Sequence, residues 1–302
     1  MHPAFKENPC NICHGTDTKV IYPATLPEDL SLEITKRFAP ADHAKGNDQI
    51  VQCNVCGLAY ANPRMKQEYI WQGYSEAVDT KYATQAEERI NTFKRTLRLI
   101  QRYVPAKGTL IDIGCAAGFF LKVAKDADWN VKGIEPNKGL AEFGRATYGV
   151  DIQSKNFLDS GLAQESFDVV TFWDVLEHVS DPSAYIRESY RLLKPHGFIF
   201  LNFPDFGSRL ARWSGQKWWF LSPVHIYYFN RSTIKKLLEQ QGFTVKKIQM
   251  HWQTLALGYL FERFADYNKT ISKIGVFLCN MLRIDKLPIR YYAGQALVIA
   301  QK

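Results

Sequence analysis

The run Leu110-Ile111-Asp112-Ile113-Gly114-Cys115-Ala116-Ala117-Gly118-Phe119-Phe120-Leu121 constrains this chain more than any other stretch. It opens as a β-branched apolar run, passes through small residues that accept tight or left-handed backbone angles, and leaves as an apolar-periodic helix. Strand, turn, helix is the reading. Such a turn lets a ligand approach the main chain where Gly114 and Gly118 lack a Cβ, and it presents N–H groups at a helix N-terminus. Further on, Val131-Lys132-Gly133-Ile134-Glu135 reads as a second strand ending in an acid, suited to gripping a ribose diol. The expectation is a ligand with an adenosine moiety lying across two strand ends.

Glycine spacing narrows the choice of ligand. A dinucleotide G-x-G-x-x-G counted from Gly114 needs glycines where Ala116 and Phe119 stand. Counted as D-x-G-x-G-x-G, the run supplies Asp112, Gly114 and Gly118, with Ala116 as the one departure. Two more blocks follow in order, Ser166-Phe167-Asp168-Val169-Val170 running into Asp174-Val175-Leu176-Glu177-His178-Val179, and Leu192-Leu193-Lys194-Pro195-His196-Gly197. Together they resemble the class I S-adenosylmethionine-dependent methyltransferases, over roughly residues 70 to 302. The resemblance implies an α/β fold, a doubly wound, mostly parallel seven-stranded Rossmann-like sheet, with S-adenosylmethionine as cofactor. It implies that Asp112, Gly114, Cys115, Ala116, Gly118, Glu135 and Pro136 surround that cofactor. Asn156 falls where the family hydrogen-bonds the adenine amino group, with Phe157 against the ring and Asp159 as a rival. Trp173 and Asp174 fall at the methionine end, whose carboxylate Tyr74 or Tyr82 is expected to cap.

Cysteine use points to a second element. Four of six cysteines form two C-x-x-C steps, Cys10/Cys13 and Cys53/Cys56, in a chain that shows no secretory signal pattern. Two such steps close a tetrahedral four-thiolate site for structural Zn2+, and Gly57 suits the left-handed position after a knuckle. The pairs are farther apart than in an ordinary zinc ribbon, so an insertion, about Leu26 to Pro40, is expected between them. His14 and His43 are alternative ligands, but the four sulfurs suffice. The pattern Cys53-Asn54-Val55-Cys56-Gly57-Leu58-Ala59-Tyr60 resembles the small zinc module of some methyltransferases of bacterial sugar and surface-polysaccharide pathways.

The expected organisation is a zinc-ribbon-like module at 1–65, a helical linker or lid at 66–105, and a methyltransferase domain at 106–302. Ile90, Phe93, Leu97 and Ile100 stand at helical spacing and predict a helix packed on the sheet edge. After the fifth strand, Trp213, Trp218, Trp219, Phe220, Tyr227, Tyr228 and Phe229 crowd together, core by default but placed to wall an acceptor pocket. His225 lies among them and is the first choice for general base; His178 is the second. For each, an ordinary loop histidine is the competing reading. Before the last strand, 252–290 predicts a helical insertion with two amphipathic helices, expected to pack on the same chain, with a subunit contact or a membrane surface as alternatives.

A formal charge of +8 invites a nucleic-acid partner, yet the basic residues are scattered rather than massed. No apolar run reaches spanning length, so a cytoplasmic location is expected, with peripheral membrane contact left open. The expected activity is methyl transfer to a small-molecule acceptor, with a sugar, nucleotide-sugar or surface-polysaccharide precursor favoured by the zinc module. An RNA methyltransferase, a quinone- or lipid-type O-methyltransferase and a non-catalytic cofactor-binding scaffold are the alternatives, and the oligomeric state is not legible.

Overall fold

Each C-x-x-C step turns back on itself: His14 N–H donates to Cys10 O and Gly57 N–H to Cys53 O, both at 2.9 Å. The residue after each pair is left-handed, His14 at φ 58° and Gly57 at φ 80°. His14 thus serves its knuckle through its backbone. The computed structural model describes residues 4–26, 46–76, 86–263, 265 and 268–302, save the side chains of Tyr74 and Arg263. Nearly all of the expected insertion at 26–40, together with His43 and Tyr82, lies outside the described residues.

Strand β1 (Phe5–Lys6) pairs with β5 (Arg64–Met65), while β2 (Thr18–Tyr22), β3 (Ile50–Cys53) and β4 (Ala59–Ala61) form a meander carrying the second knuckle. Helices α1 (Gln67–Glu76) and α2 (Ala86–Tyr103) lead into the main sheet, and α2 buries Leu97 and Ile100 as their spacing predicts. Then come β6 (Thr109–Ile113), α3 (Phe119–Lys125), β7 (Asn130–Ile134), α4 (Lys138–Tyr148) and β8 (Asp151–Gln153). They are followed by β9 (Phe167–Trp173), α5 (Pro182–Leu192) and β10 (Leu193–Pro204). Strands β6 to β10 are mutually parallel, and β6, β9 and β10 are mostly buried, which is why those three read as apolar runs rather than alternations.

Beyond β10 lie the short helix α6 (Arg209–Ser214), β11 (Tyr227–Tyr228), α7 (Arg231–Gln240) and β12 (Thr244–Ala256). After them come α8 (Leu257–Arg263), α9 (Lys269–Met281) and β13 (Pro288–Gln301). The sheet order is β12-β13-β10-β9-β6-β7-β8, with β13 antiparallel to both neighbours. This is the expected seven-stranded, doubly wound architecture. Strands β12 and β13 run longer than their apolar cores suggest, because they continue past the sheet as a two-stranded arm that carries α8 and α9.

Strand β11 leaves the main domain and pairs with β4, Tyr227 opposite Tyr60, completing a four-stranded sheet. One hydrophobic core runs through both parts and includes Cys10, Leu58, Tyr60, Phe172, Phe203 and Tyr227. Polar contacts reinforce the junction: Asn11 Nδ2 donates to Asp181 Oδ1 at 2.9 Å, and Arg64 donates to both Tyr227 Oη and the Ser180 carbonyl. Tyr60 is fully buried at this seam. Tyr60→Ala is expected to cost about 3 to 5 kcal/mol, as large-to-small core truncations do. Denaturant unfolding followed by tryptophan fluorescence and by the reactivity of Cys10, Cys13, Cys53 and Cys56 should show one transition; two separated transitions would show that the seam is not cooperative.

Candidate functional site

The β6–α3 turn is shaped by close approach. Gly114 adopts φ 68°, and a Cβ there would lie 2.7 Å from Val175 Cγ2. No larger residue fits between this turn and the loop after β9. Ala116 is also left-handed, at φ 47°, and its N–H donates to Glu135 Oε2 at 2.8 Å. Asn137 N–H donates to Glu135 Oε1 at 2.8 Å, so the main chain fixes the carboxylate. Carboxylate oxygens have lone pairs to spare for a diol. Burial pushes the Glu135 carboxyl up to about 7 against the pull of those two N–H groups. Asp112, below the turn, is buried and accepts from Thr171 Oγ1 at 2.7 Å; burial raises its carboxyl as well.

A cavity of about 210 Å³ opens over these strand ends, lined by Gly114, Glu135, Pro136, Asn156, Phe157, Asp174 and His178. Trp71, Val175 and Tyr185 also line it, and the Tyr185 hydroxyl donates to Asn156 Oδ1 at 3.2 Å. Asn156 Oδ1 additionally caps a 3-10 turn through Leu158 N–H, and Phe157 is buried beneath it. A second cavity of about 470 Å³ adjoins the first, and Gly114 and Asp174 line both. Asp112, Cys115, Trp173, Glu177 and His225 line the larger one, and its walls include the rings of Phe93, Phe120, Trp219, Phe220, Tyr259 and Tyr291. Arg89, His251, Gln253 and Gln295 add polar groups.

The border between the cavities is rigidly built. Asp174 sits at φ 56°, accepts side-chain hydrogen bonds from Asn202 Nδ2 and Gln295 Nε2, and donates its N–H to Asn202 Oδ1. Burial raises its carboxyl to about 6, opposed by Arg89 and those amides. His178 and His225 face one another with ring centroids 4.6 Å apart. Nδ1 of His178 lies 3.0 Å from the Val224 carbonyl and Nδ1 of His225 lies 2.7 Å from the Phe220 carbonyl. A carbonyl only accepts, so each Nδ1 carries a proton, and Nε2 is the ring atom left to take up or give up a second one. The Glu177 carboxylate is buried beside them with neither oxygen hydrogen-bonded, and one ligand atom from each of the three residues falls within 4.8 Å of the others. Burial, with Asp174 nearby, drives the Glu177 carboxyl well up.

Residues 82–248, more than half of the chain, match the family described as methyltransferase domain. The chain belongs to that family. A ubiquinone biosynthesis O-methyltransferase of Pseudomonas entomophila is 34% identical over 99 residues, 31% of this chain and 43% of that protein. A probable S-adenosylmethionine-dependent methyltransferase of Mycolicibacterium smegmatis is 29% identical over 138 residues, 45% of this chain and 52% of that protein. The chain therefore spans about half the length, or less, of these curated relatives. A SAM-dependent methyltransferase structure from Archaeoglobus fulgidus shares the fold at a TM-score of 0.52 and 20% identity, covering 74% of this chain and all of that one.

The methyltransferase brings together most of the residues that its sequence singled out. Ala116 and Gly118 line neither cavity; Ala116 orients Glu135, and Gly118 packs against Val150 and Ile152. Trp173 faces the larger cavity, its ring stacked on His251. Asp159 belongs to neither lining, whereas Asn156 lines the smaller cavity. Tyr82 and the Tyr74 side chain lie outside the described residues. Sequence reading missed Tyr185, Arg89, His251, Asn202 and Gln295. The last two had a signal, a lone amide inside an apolar strand.

The Cys10 and Cys56 sulfurs lie 3.3 Å apart, the Cys13 and Cys53 sulfurs 3.4 Å apart, and all four fall within 4.8 Å of one another. A tetrahedron of thiolates around zinc has edges of about 3.8 Å, so this donor set fits one ion.

Glu135 must be ionised to accept from both hydroxyls of a ribose. S-adenosylmethionine affinity is therefore expected to be full above pH 8 and to fall about tenfold by pH 6, as protons compete for a group titrating near 7. Isothermal titration across this range, with Glu135→Gln binding weakly but independently of pH, checks the assignment.

Proposed function

We propose that this methyltransferase methylates a hydroxyl oxygen of a flat, largely apolar small molecule. The observation that carries the reading is the pair of adjoining cavities that share Gly114 and Asp174, with His178 lining one and His225 the other. The smaller cavity holds the cofactor through Glu135, Asn156 and Phe157, and the larger receives the acceptor. Bound there, S-adenosylmethionine supplies a methyl group on a sulfonium centre, an electrophile poised for in-line displacement. The protein holds the two reactants in line, the contribution that positioning makes to a bimolecular step. Nε2 of His225 would take the proton that the acceptor hydroxyl gives up, and the imidazolium so formed would lie beside the buried Glu177 carboxyl, whose ionised form it would favour.

The aromatic rings in the walls of the larger cavity favour an acceptor with a planar apolar body, and Arg89, His251 and Gln253 beside them can meet its polar substituents. The ubiquinone O-methyltransferase relatives support the same class. A cavity of about 470 Å³ suits a small molecule better than a nucleic acid. With labelled cofactor, a panel of polyhydroxylated aromatics, quinols and nucleotide-sugars should give methyl transfer to the first two classes. Transfer to nucleotide-sugars alone would overturn the acceptor class. With the identified acceptor, His225→Ala is expected to lower kcat about a hundredfold, in the range for a lost general base. Cofactor affinity should be unchanged and the loss should shrink at high pH.

We further infer that Cys10, Cys13, Cys53 and Cys56 hold one structural Zn2+ and that the module at 1–65 acts on catalysis from a distance. Its strand β4 pairs with β11, which begins two residues after His225. Metal analysis should give one equivalent per chain. Stripping the zinc should lower turnover well before cofactor binding is lost, because the ion supports the His225 side of the site and not the β6–α3 turn.

A further inference from the structure

Helix α9 is turned the opposite way from the buried packing expected of it. Its inward face is small, with Ser272, Gly275 and Cys279 buried, and a Cβ on Gly275 would lie 2.1 Å from the Phe261 ring of α8. That close fit sets the rotation of the helix. The large apolar residues consequently point out: Ile271, Ile274, Phe277, Leu278, Met281 and Leu282 are each 44 to 65% exposed. At 100° per residue they occupy a single stripe. Among the described residues nothing covers it. The flanking charges are almost all of one sign: Lys269, Lys273, Arg283 and Lys286 are exposed, and Asp285 is the one acid between Lys269 and Lys286.

We propose that this face docks on an anionic lipid surface, its apolar stripe entering the headgroup boundary and its cations meeting lipid phosphates. Charge decides between this occupant and a second copy of the chain. Two-fold pairing through the stripe would set the same cations against one another, whereas anionic headgroups attract them all. Helix length agrees: thirteen residues lie along an interface but cannot span a bilayer, and no helix among the described residues is long and apolar enough to cross one. Tyr259 and Leu260 of α8 line the larger cavity while Phe261 rests on α9, so the docking helix backs one wall of the acceptor site. An acceptor that partitions into lipid would then be drawn from the surface on which the enzyme sits. This last step rests on the acceptor reading above; the docking itself does not.

The test is co-sedimentation of the zinc-replete chain with vesicles of phosphatidylcholine alone and with about 30% phosphatidylglycerol. Binding is expected to be at least tenfold stronger on the anionic vesicles and to fall with salt. Ile274→Ser/Phe277→Ser should reduce it at least tenfold, and Lys269→Ala/Lys273→Ala should remove most of the anionic preference. Both variants should bind S-adenosylmethionine as the parent does, which confirms that they fold. Equal binding of parent and Ile274→Ser/Phe277→Ser to anionic vesicles would overturn the proposal. So would a parent that ignores vesicles and is dimeric by light scattering, with the same variant monomeric, because the stripe would then be a subunit contact. Neither outcome bears on whether quinols or phenols are methylated in solution.

Discussion

The backbone carbonyl of Glu177 accepts from two consecutive N–H groups, Ile226 at 2.7 Å and Tyr227 at 3.1 Å. Through this one oxygen the loop after β9 is tied to the segment that carries His225 and then to the sheet of the N-terminal module. On its other side the same loop presses Val175 against Gly114. The loop is thus clamped between the cofactor turn and the acceptor segment, and neither can shift without moving the other. That clamp sets His178 beside His225 and places Glu177, sequence neighbour of the first, behind both rings.

The N-terminal module takes its meaning from the same connection. A small domain with a single short meander buries little apolar surface and needs a staple. Here the staple is a cluster of four cysteines on one side and borrowed structure on the other: β11 extends the meander, and Tyr60 and Tyr227 lie in one continuous core. The module and the segment that carries His225 support each other through this pairing. The left-handed residues at His14 and Gly57 show how little the knuckles ask of sequence, since one position takes glycine and the other a histidine.

Much of this was legible in the chain. Parallel strands buried on both faces must be apolar throughout, and β6, β9 and β10 announced themselves in that way; the C-x-x-C pairs and the acid at the end of β7 were equally direct. The larger cavity was legible only in part: the aromatic crowd announced Trp219, Phe220 and His225, whereas Arg89 and His251 come from distant elements and sit in no local pattern. Periodicity showed that α9 is amphipathic but not which side is covered. The answer lay in the small residues Ser272, Gly275 and Cys279, whose spacing marks the packed face while the conspicuous apolar stripe marks the other.

Four carboxyl groups cluster around the strand ends, those of Asp112, Glu135 and Glu177 buried and that of Asp174 half-buried, and desolvation raises all four. Desolvation penalises the ionised form, and each charge penalises its neighbours, so the apoprotein keeps some of these groups protonated near neutral pH. Arg89 is a basic side chain drawn into the same field. A ligand with a positive centre lowers the energy of such a site more than a neutral ligand of the same shape, because it offsets carboxylates that water cannot reach. Methyl transfer turns a sulfonium into a neutral thioether. A cofactor bound over these strand ends, as proposed above, would be held less tightly once its sulfonium charge was gone, which would favour release of the spent molecule.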